Sequence, residues 1–282
     1  MKDPGTLYLV ATPIGNLEDM TLRAVRILRE VDLIAAEDTR QTLKLLNHFE
    51  IKKPLVSYYE HNKQEKGNAL IGQLLEGKNI ALVSDAGSPG ISDPGEDLVR
   101  LAIENGIGVT MAPGPAAVIM GLVLSGLPSG RFVFEGFLSV NKKSRTARLN
   151  SLKEETRTLV FYEAPHKLIH TLKDMYEIWG NRRIALAREL TKKFEEIVRC
   201  TLQEAIDRYE RESPRGEFVL VVEGIDEASA AESVKRKWEE LTLKEHLEFH
   251  IQSGMDKKQA MKKVAEDRGL SKREVYNSLH KM

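Results

Sequence analysis

A single cysteine, Cys200, stands among the 282 residues. No intrachain disulfide is possible, so a disulfide-stapled secreted scaffold is excluded, and a lone thiol suits a reducing compartment. Net charge is missing too, since 42 Lys and Arg balance 42 Asp and Glu. Bulk charge therefore recruits neither nucleic acid nor membrane, and any such surface must be a local patch. The chain has no apolar run of the roughly eighteen residues that a membrane helix requires. Its start, MKDPGTLYLVATPIG, places Asp3 and Pro4 before an apolar run too short for the core of a secretory signal. A soluble, cytoplasmic protein is expected. The phosphate-binding signatures of the common nucleotide folds are absent as well. There is no GxxxxGK(S/T), and no GxGxxG follows the first apolar run.

What is present is an alternation of two periods. Short β-type runs at 6–11, 32–36, 55–59, 79–84 and 108–112 alternate with helical patterns at 21–31, 39–49, 62–76, 96–105 and 116–124. Strands separated by helices imply crossovers and a mostly parallel sheet. The stretch SGLPSG (125–130) has the punctuation of a linker. A second α/β segment follows, with strand patterns at 131–136, 158–162, 184–188, 196–200 and 217–223 and helices at 166–179 and 202–212. Beyond Gly224 the β signals stop, and residues 231–282 read as helix throughout. The expected organisation is an N-terminal α/β domain (1–125), a second α/β domain (131–226) and a small helical extension (230–282).

Glycine and proline gather where the strands of the first half end. ATPIGNLEDMTL (11–22) follows the first, SDAGSPGISDPG (84–95) the fourth and APGPAA (112–117) the fifth. In the second half, YEAPHK (162–167) and ARELTKKFEE (187–196) occupy corresponding places. In open parallel sheets ligands bind outside the carboxyl ends of the strands. Glycine lets backbone approach a ligand without a Cβ in the way. One such loop alone reads as a tight turn, whereas three in one half describe a glycine-rich ligand cleft.

These blocks, together with GTLYLVATPIGNLEDMTLRAVRILREVDLIAAEDTR (5–40) and GEFVLVVEG (216–224), resemble the tetrapyrrole-methylase superfamily of S-adenosylmethionine (SAM) methyltransferases. Within it the resemblance is to enzymes that 2′-O-methylate a cytidine (cytidine 1402) in the decoding region of bacterial 16S rRNA. The tetrapyrrole branch usually carries a GxGPG-type loop after its first strand. Here Thr12-Pro13-Ile14-Gly15-Asn16 stands instead, which favours the RNA branch. The resemblance implies a homodimer of two-domain subunits with SAM in the cleft between domains. It implies cofactor contacts from Pro13, Gly15, Asp85, Gly87, Ser88, Pro89, Gly90, Pro113, Gly114 and Ala116. Ala164, Pro165 and Glu217 would close the cleft from the second domain. Asp93, in SDPGED, has the chemistry of a cap on the following helix.

Methyl transfer from a sulfonium needs alignment and one proton acceptor, and no metal, because the leaving group is already good. Glu163 and Glu189 are the candidate bases, with Lys192 as a neutral amine. Their alternative is structural ion pairing with Arg188 or Arg183. Arg40, with Asp38 in AEDTR, reaches the cofactor, the RNA or simply its own neighbour. The basic run NKKSRTAR (141–148) offers Lys142, Lys143, Arg145 and Arg148 to phosphates, or is a solvated helix start. Residues 256–282 have the spacing of a helix-turn-helix, turning at Gly269 with a second helix capped by Ser271 that presents Lys272 and Arg273, or of a helical cap or dimer contact. His166/His170 and His246/His250 are both spaced i, i+4, but neither pair has an HExxH glutamate or an evident third ligand, so no metal is expected. The competing readings are a porphyrinoid methyltransferase on the same fold and a ribosome-binding protein without turnover.

Overall fold

The computed structural model describes residues 3–230, 232, 238 and 241–280. The first half folds as β1 (Thr6–Val10), α1 (Leu22–Glu30), β2 (Leu33–Ala36), α2 (Thr39–His48), β3 (Leu55–Ser57), α3 (Lys63–Leu75), β4 (Ile80–Val83), α4 (Gly95–Glu104) and β5 (Gly108–Ala112). All its strand pairs are parallel, in the order β3-β2-β4-β1-β5. Burial on both faces follows from a period of two. Val10, Ile34, Ala36, Ala81 and Val83 pack under α1 and α2. Leu7, Ala35, Ile80 and Leu82 pack under α3 and α4 on the other face. A central strand such as β4, buried at every position, is accordingly a continuous apolar run.

The second half contains α5 (Ala117–Ser125), β6 (Phe132–Phe137), α6 (Lys142–Ser151), β7 (Thr158–Glu163), α7 (Leu168–Trp179), β8 (Arg183–Arg188), β9 (Glu196–Thr201), α8 (Leu202–Arg211) and β10 (Phe218–Val222). Its sheet is mixed, in the order β6-β7-β10-β8-β9. Only β6 and β7 run parallel. The short connection from β8 to β9 forces a hairpin, because a parallel pair needs a long crossover. One face carries a cluster of Leu149, Leu159, Phe161, Leu172, Trp179, Leu186 and Phe218 with α6, α7 and α8.

The other face of this second sheet is covered by α5. Val118 and Leu122 pack with Val160, Ala185, Ala187, Val219 and Val221. By sequence this helix precedes the Gly/Pro-rich stretch at 125–130, but its packing belongs to the second sheet. The reason is its composition: AVIMGLVLS is apolar all round, so it has no polar face to mark which layer it serves. Gly121 permits the contact, since a Cβ there would stand 2.7 Å from Val219 Cγ1.

The extension comprises α9 (Leu243–Gln252), α10 (Lys257–Arg268) and α11 (Lys272–His280). Residues 231, 233–237, 239, 240, 281 and 282, expected as helix, lie outside the described residues. Gly269 ends α10 in the left-handed conformation at φ +64°, and its amide closes onto the carbonyl of Ala265. Ser271 Oγ accepts the Glu274 amide at 3.2 Å while Glu274 returns a bond to the Ser271 amide. The turn and the cap both fall where the sequence puts them.

Candidate active site

A cavity of about 440 Å³ opens between the two sheets. Three first-domain loops form one wall and are tied to each other. Thr12 and Gly87 exchange backbone hydrogen bonds of 2.9 and 3.0 Å, joining the loops after β1 and β4. Ser88 Oγ donates to the Pro115 carbonyl at 3.4 Å, joining in the loop after β5. Gly87 makes the first contact possible: it adopts φ +80° and leaves Ile14 Cγ2 only 3.2 Å from where a Cβ would be. Asp93 anchors the long loop from within. Its carboxylate accepts the amides of Gly90, Ile91 and Gly95, so it fixes the loop and reaches the first residue of α4. The N-cap position, expected at Asp93, is taken by Pro94, which makes no side-chain cap bond.

The second wall is aromatic and charged. Tyr162 accepts the Val118 amide at 3.1 Å, bracing the start of α5, and Phe137 lies against it with ring centroids 5.5 Å apart. In the β8–β9 hairpin, Glu189 (φ +50°) and Thr191 (φ +66°) both take the left-handed conformation, a strained arrangement for residues with side chains. The strain turns Glu189 across Gly216, where a Cβ would come within 2.5 Å of Glu189 Cγ. Glu189 Oε1 accepts Lys192 Nζ at 3.0 Å and the Glu217 amide at 3.1 Å. Lys192 Nζ also reaches Glu217 Oε2 at 3.3 Å, and its stem lies over Gly15 of the first domain. Lys192 thus bridges the two walls.

The electrostatics separate the proton-handling candidates. Burial pushes the Glu189 carboxyl up, but the Lys192 hydrogen bond, the Glu217 amide and the charges of Lys192 and Arg188 outweigh it and hold it below its ordinary value. Burial likewise opposes charge on Lys192, but its bonds to Glu189 and Glu217 prevail and raise it. Lys192 is therefore an ammonium, and its expected role as a neutral amine is corrected: two carboxylates hold the proton on. Glu163 is buried, with Oε2 accepting Thr171 Oγ1 at 2.6 Å and Oε1 the Ala164 amide at 2.9 Å. The expected pairing partners differ as well. Glu189 binds Lys192, while Arg188 lies 3.0 Å from Glu196.

Of the residues singled out from sequence, the cavity gathers Asp85, Gly87, Ser88, Ala116, Ala164 and Glu217 with Glu163, Glu189 and Lys192. Pro13, Pro89, Gly90, Pro113, Gly114 and Pro165 stand in the same loops without lining it. Gly15 lines a shallower hollow with Asn16, Leu17 and Lys192. Sequence reasoning missed Ile14, Glu37, Phe137 and Tyr162, while Leu190, expected beside Glu189 on the second-domain side, does line the cavity. Glu37 immediately precedes the flagged Asp38-Arg40 pair, which was its one signal. Burial, and then the charges of Asp85 and Asp93 against the Asp85 amide, raise the Glu37 carboxyl above its usual range. In all, six carboxylates (Glu37, Asp85, Asp93, Glu163, Glu189, Glu217) face one ammonium, that of Lys192. Such a cavity suits a cationic ligand and repels phosphate.

The basic candidates lie elsewhere. Arg40 is exposed and binds Asp38 at 2.7 Å, which draws the Asp38 carboxyl down to about 2. Lys142 and Lys143 are exposed at the start of α6. Arg145 turns inward to Asp174 at 2.6 Å and to the carbonyls of Ser139 and Val140. Arg148 grips Glu135 with two bonds of 2.6 and 2.7 Å. The basic run is thereby corrected from four free cations to two, because α7 and β6 supply carboxylates that the local sequence does not show. Lys272 and Arg273 are exposed on the first turn of α11. His166 and His170 are exposed, whereas His246 and His250 are buried beside Asp267, a third potential ligand that spacing alone did not reveal.

Two open α/β layers facing each other across a cleft, with loops tied over it, define the class. Residues 6–206 match the family model described as tetrapyrrole (corrin/porphyrin) methylases, and the chain belongs to that family. The fold agrees with solved structures at low identity. These include uroporphyrin-III-C-methyltransferase from Thermus thermophilus (TM-score 0.55, 21% identity, 78% of this chain and 94% of that one). Diphthine synthase is another (TM-score 0.62, 13% identity, 78% and 89%). A Thermus thermophilus uroporphyrin-III C-methyltransferase complexed with S-adenyl homocysteine also matches (TM-score 0.55, 19% identity, 77% and 97%).

Far stronger similarity is to proteins named ribosomal RNA small subunit methyltransferase I. The one from Halalkalibacterium halodurans is 54% identical over 99% of this chain and 96% of its own length. That from Bacillus subtilis is 52% identical over 99% and 95%. The Thermotoga maritima protein is 49% identical, with 78% of this chain matching 99% of it. About a fifth of the present chain therefore lies outside that last match.

Proposed function

We propose that this chain methylates bacterial small-subunit rRNA with SAM, at the 2′-hydroxyl of a decoding-region cytidine. The observation that carries the reading is the anionic cavity between the sheets, in a chain about half identical to methyltransferases of small-subunit rRNA. Its volume is that of a small-molecule site. SAM carries a sulfonium and an ammonium against a single carboxylate, a net positive charge that suits the anionic cavity, and a backbone wall of Gly87, Ser88 and Ala116 admits it closely. SAM, when bound, supplies a methyl group activated on sulfur for in-line transfer to the hydroxyl oxygen.

The chain's own part is alignment and proton handling. Alignment contributes on the order of 7–11 kcal/mol in favourable systems. Glu189 accepts the hydroxyl proton at Oε2, the oxygen that carries no donor among the described residues. Lys192 orients Glu189 through Oε1 and keeps it ionised. Glu163, with both oxygens engaged, holds the loop after β7. Lys142, Lys143, Arg40, Lys272 and Arg273 are the exposed cations offered to RNA phosphates outside the cavity. The reading includes a homodimer. Ile119 and Val123 of α5 stay 48% and 65% exposed, as apolar residues do where a second copy covers them.

The experiment is methyl transfer from labelled SAM to 30S subunits isolated from a bacterium lacking the modification, followed by nuclease mapping. Label on the ribose of one decoding-region cytidine is expected. No transfer despite demonstrated SAM binding, or transfer to a porphyrinoid instead, overturns the assignment.

A further inference from the structure

Among the described residues, the extension buries two imidazoles beside a small apolar cluster. Within those residues the cluster is Leu247, Ala260, Val264, Ala265 and Val275, with Leu243, Met255 and Met261 packed partly buried against it. A metal can staple a helical unit whose apolar core is small. His246 and His250 are 0% and 5% exposed. Spaced i, i+4 on α9, they share one helix face, and α10 brings Asp267 against them.

Three atoms converge. The Nε2 atoms of His246 and His250 are 3.1 Å apart, and Asp267 Oδ2 stands 3.3 Å from the first and 3.0 Å from the second. Protons do not satisfy all three edges of this triangle. A carboxylate oxygen only accepts, so both imidazoles must present an N–H to it, and those protons then face each other across the third edge. If one imidazole accepts from the other instead, its lone pair faces the carboxylate. A cation bonded to all three atoms resolves every edge at once. Tetrahedral zinc, with bonds of about 2.0–2.1 Å, keeps its ligand atoms roughly 3.3–3.4 Å apart, so the observed triangle is that of a zinc site slightly contracted.

The surroundings hold the three groups in place. Lys263 Nζ binds the other carboxylate oxygen of Asp267 at 2.9 Å, which leaves Oδ2 for the imidazoles. Trp238 stacks on His246 with ring centroids 3.9 Å apart and planes 4° from parallel. One contact runs the other way: Arg268 Nε donates to His246 Nδ1 at 3.1 Å. With metal on Nε2 the ring proton sits on Nδ1, so that contact is given up while Arg268 keeps the carbonyls of Trp238 and Leu241. The charges of Lys263 and Arg268 make the site weaker than an all-thiolate one.

We propose that His246, His250 and Asp267 form a site for a zinc-class divalent metal that pins α9 to α10, with water in the fourth position. The site lies apart from the cleft and stands or falls independently of the methyl-transfer reading. The test uses the full-length chain without a histidine tag. Mass spectrometry of the purified protein should find about one zinc per chain, and chelator-stripped protein should bind one Zn²⁺ in a calorimeter. H250Q and D267N should each weaken binding by at least about tenfold, whereas H170Q, at an exposed position on α7, should leave it unchanged. Circular dichroism checks that the variants fold. If they do not, cobalt-loaded wild type decides. Intense visible bands of a four-coordinate ion support the site, and the weak spectrum of a six-coordinate ion overturns it. Failure of the stripped wild type to bind, or binding unaffected by H250Q and D267N, also overturns it.

Discussion

The two walls of the cleft are built on different principles. The first-domain wall combines backbone and small side chains, Ser84, Ala86, Gly87, Ser88, Ser92 and Ala116, with three acids, Glu37, Asp85 and Asp93. The second-domain wall is made of large or charged side chains, with Phe137, Tyr162, Glu189, Lys192 and Glu217. A parallel sheet ends all its strands on one edge, and its loops can crowd their amides there. A mixed sheet sends an antiparallel hairpin to the same edge, and its strained turn projects side chains. Both walls carry acids, but the first adds close backbone approach, whereas only the second holds an ion-paired network, Glu189–Lys192–Glu217. Adding bulk should therefore damage the first wall, and removing charge should damage the second.

The largest effect should come from the ion-paired wall. E189Q should lower kcat by about 10²–10⁴-fold, the usual loss for a general base, with SAM affinity nearly kept. E163Q should retain most turnover and instead lower Tm, because it perturbs buried bonds to Thr171 and Ala164. Equal losses of kcat in the two variants would dissolve this assignment of roles. On the backbone wall, Gly87→Val places a β-branched residue at φ +80° against Ile14. A cost of about 1–3 kcal/mol in stability and weaker SAM binding are expected in thermal denaturation and calorimetry. Unchanged stability would mean that the loop is not pinned to Thr12.

A subtler effect concerns pH. Glu189 works as a carboxylate and its pKa is lowered, so the folded cleft keeps it ionised as pH falls until that low pKa is reached. K192Q removes the leading contribution to the lowering and leaves burial, which acts upward, less opposed. The acid limb of kcat should then move to higher pH, read from profiles of wild type and variant; an unmoved limb would detach Lys192 from Glu189. The smallest effect is expected from Gly15→Ala, whose Cβ would stand 2.3 Å from Lys192 Cγ. It displaces the stem of Lys192, which orients Glu189, so a few-fold fall in kcat together with a few-fold rise in KM is expected in steady-state assays.

Legibility followed the same division. Glycine and proline mark the backbone wall because a loop that must turn sharply near a ligand has few residue choices, so 84–95 and 112–117 stood out at once. Phe137 and Tyr162 look like ordinary strand residues, and nothing local distinguishes a cavity-lining aromatic from a core one. The helix-turn-helix spacing, the Gly269 turn and the Ser271 cap were visible because their hydrogen bonds close within a few residues.

By itself, then, the sequence determined whatever depends on neighbours along the chain: strand and helix periods, loop positions, the Gly269 turn and Ser271 cap, and the parallel direction of the first-half strands. Only tertiary structure decided which sheet α5 covers, whether Arg145 meets RNA or Asp174, which charge state Lys192 holds, and that Asp267 stands beside His246 and His250. Each of these is settled by a partner far away in the chain. Burial energy and charge depend on what surrounds a group, and a linear pattern carries no record of that.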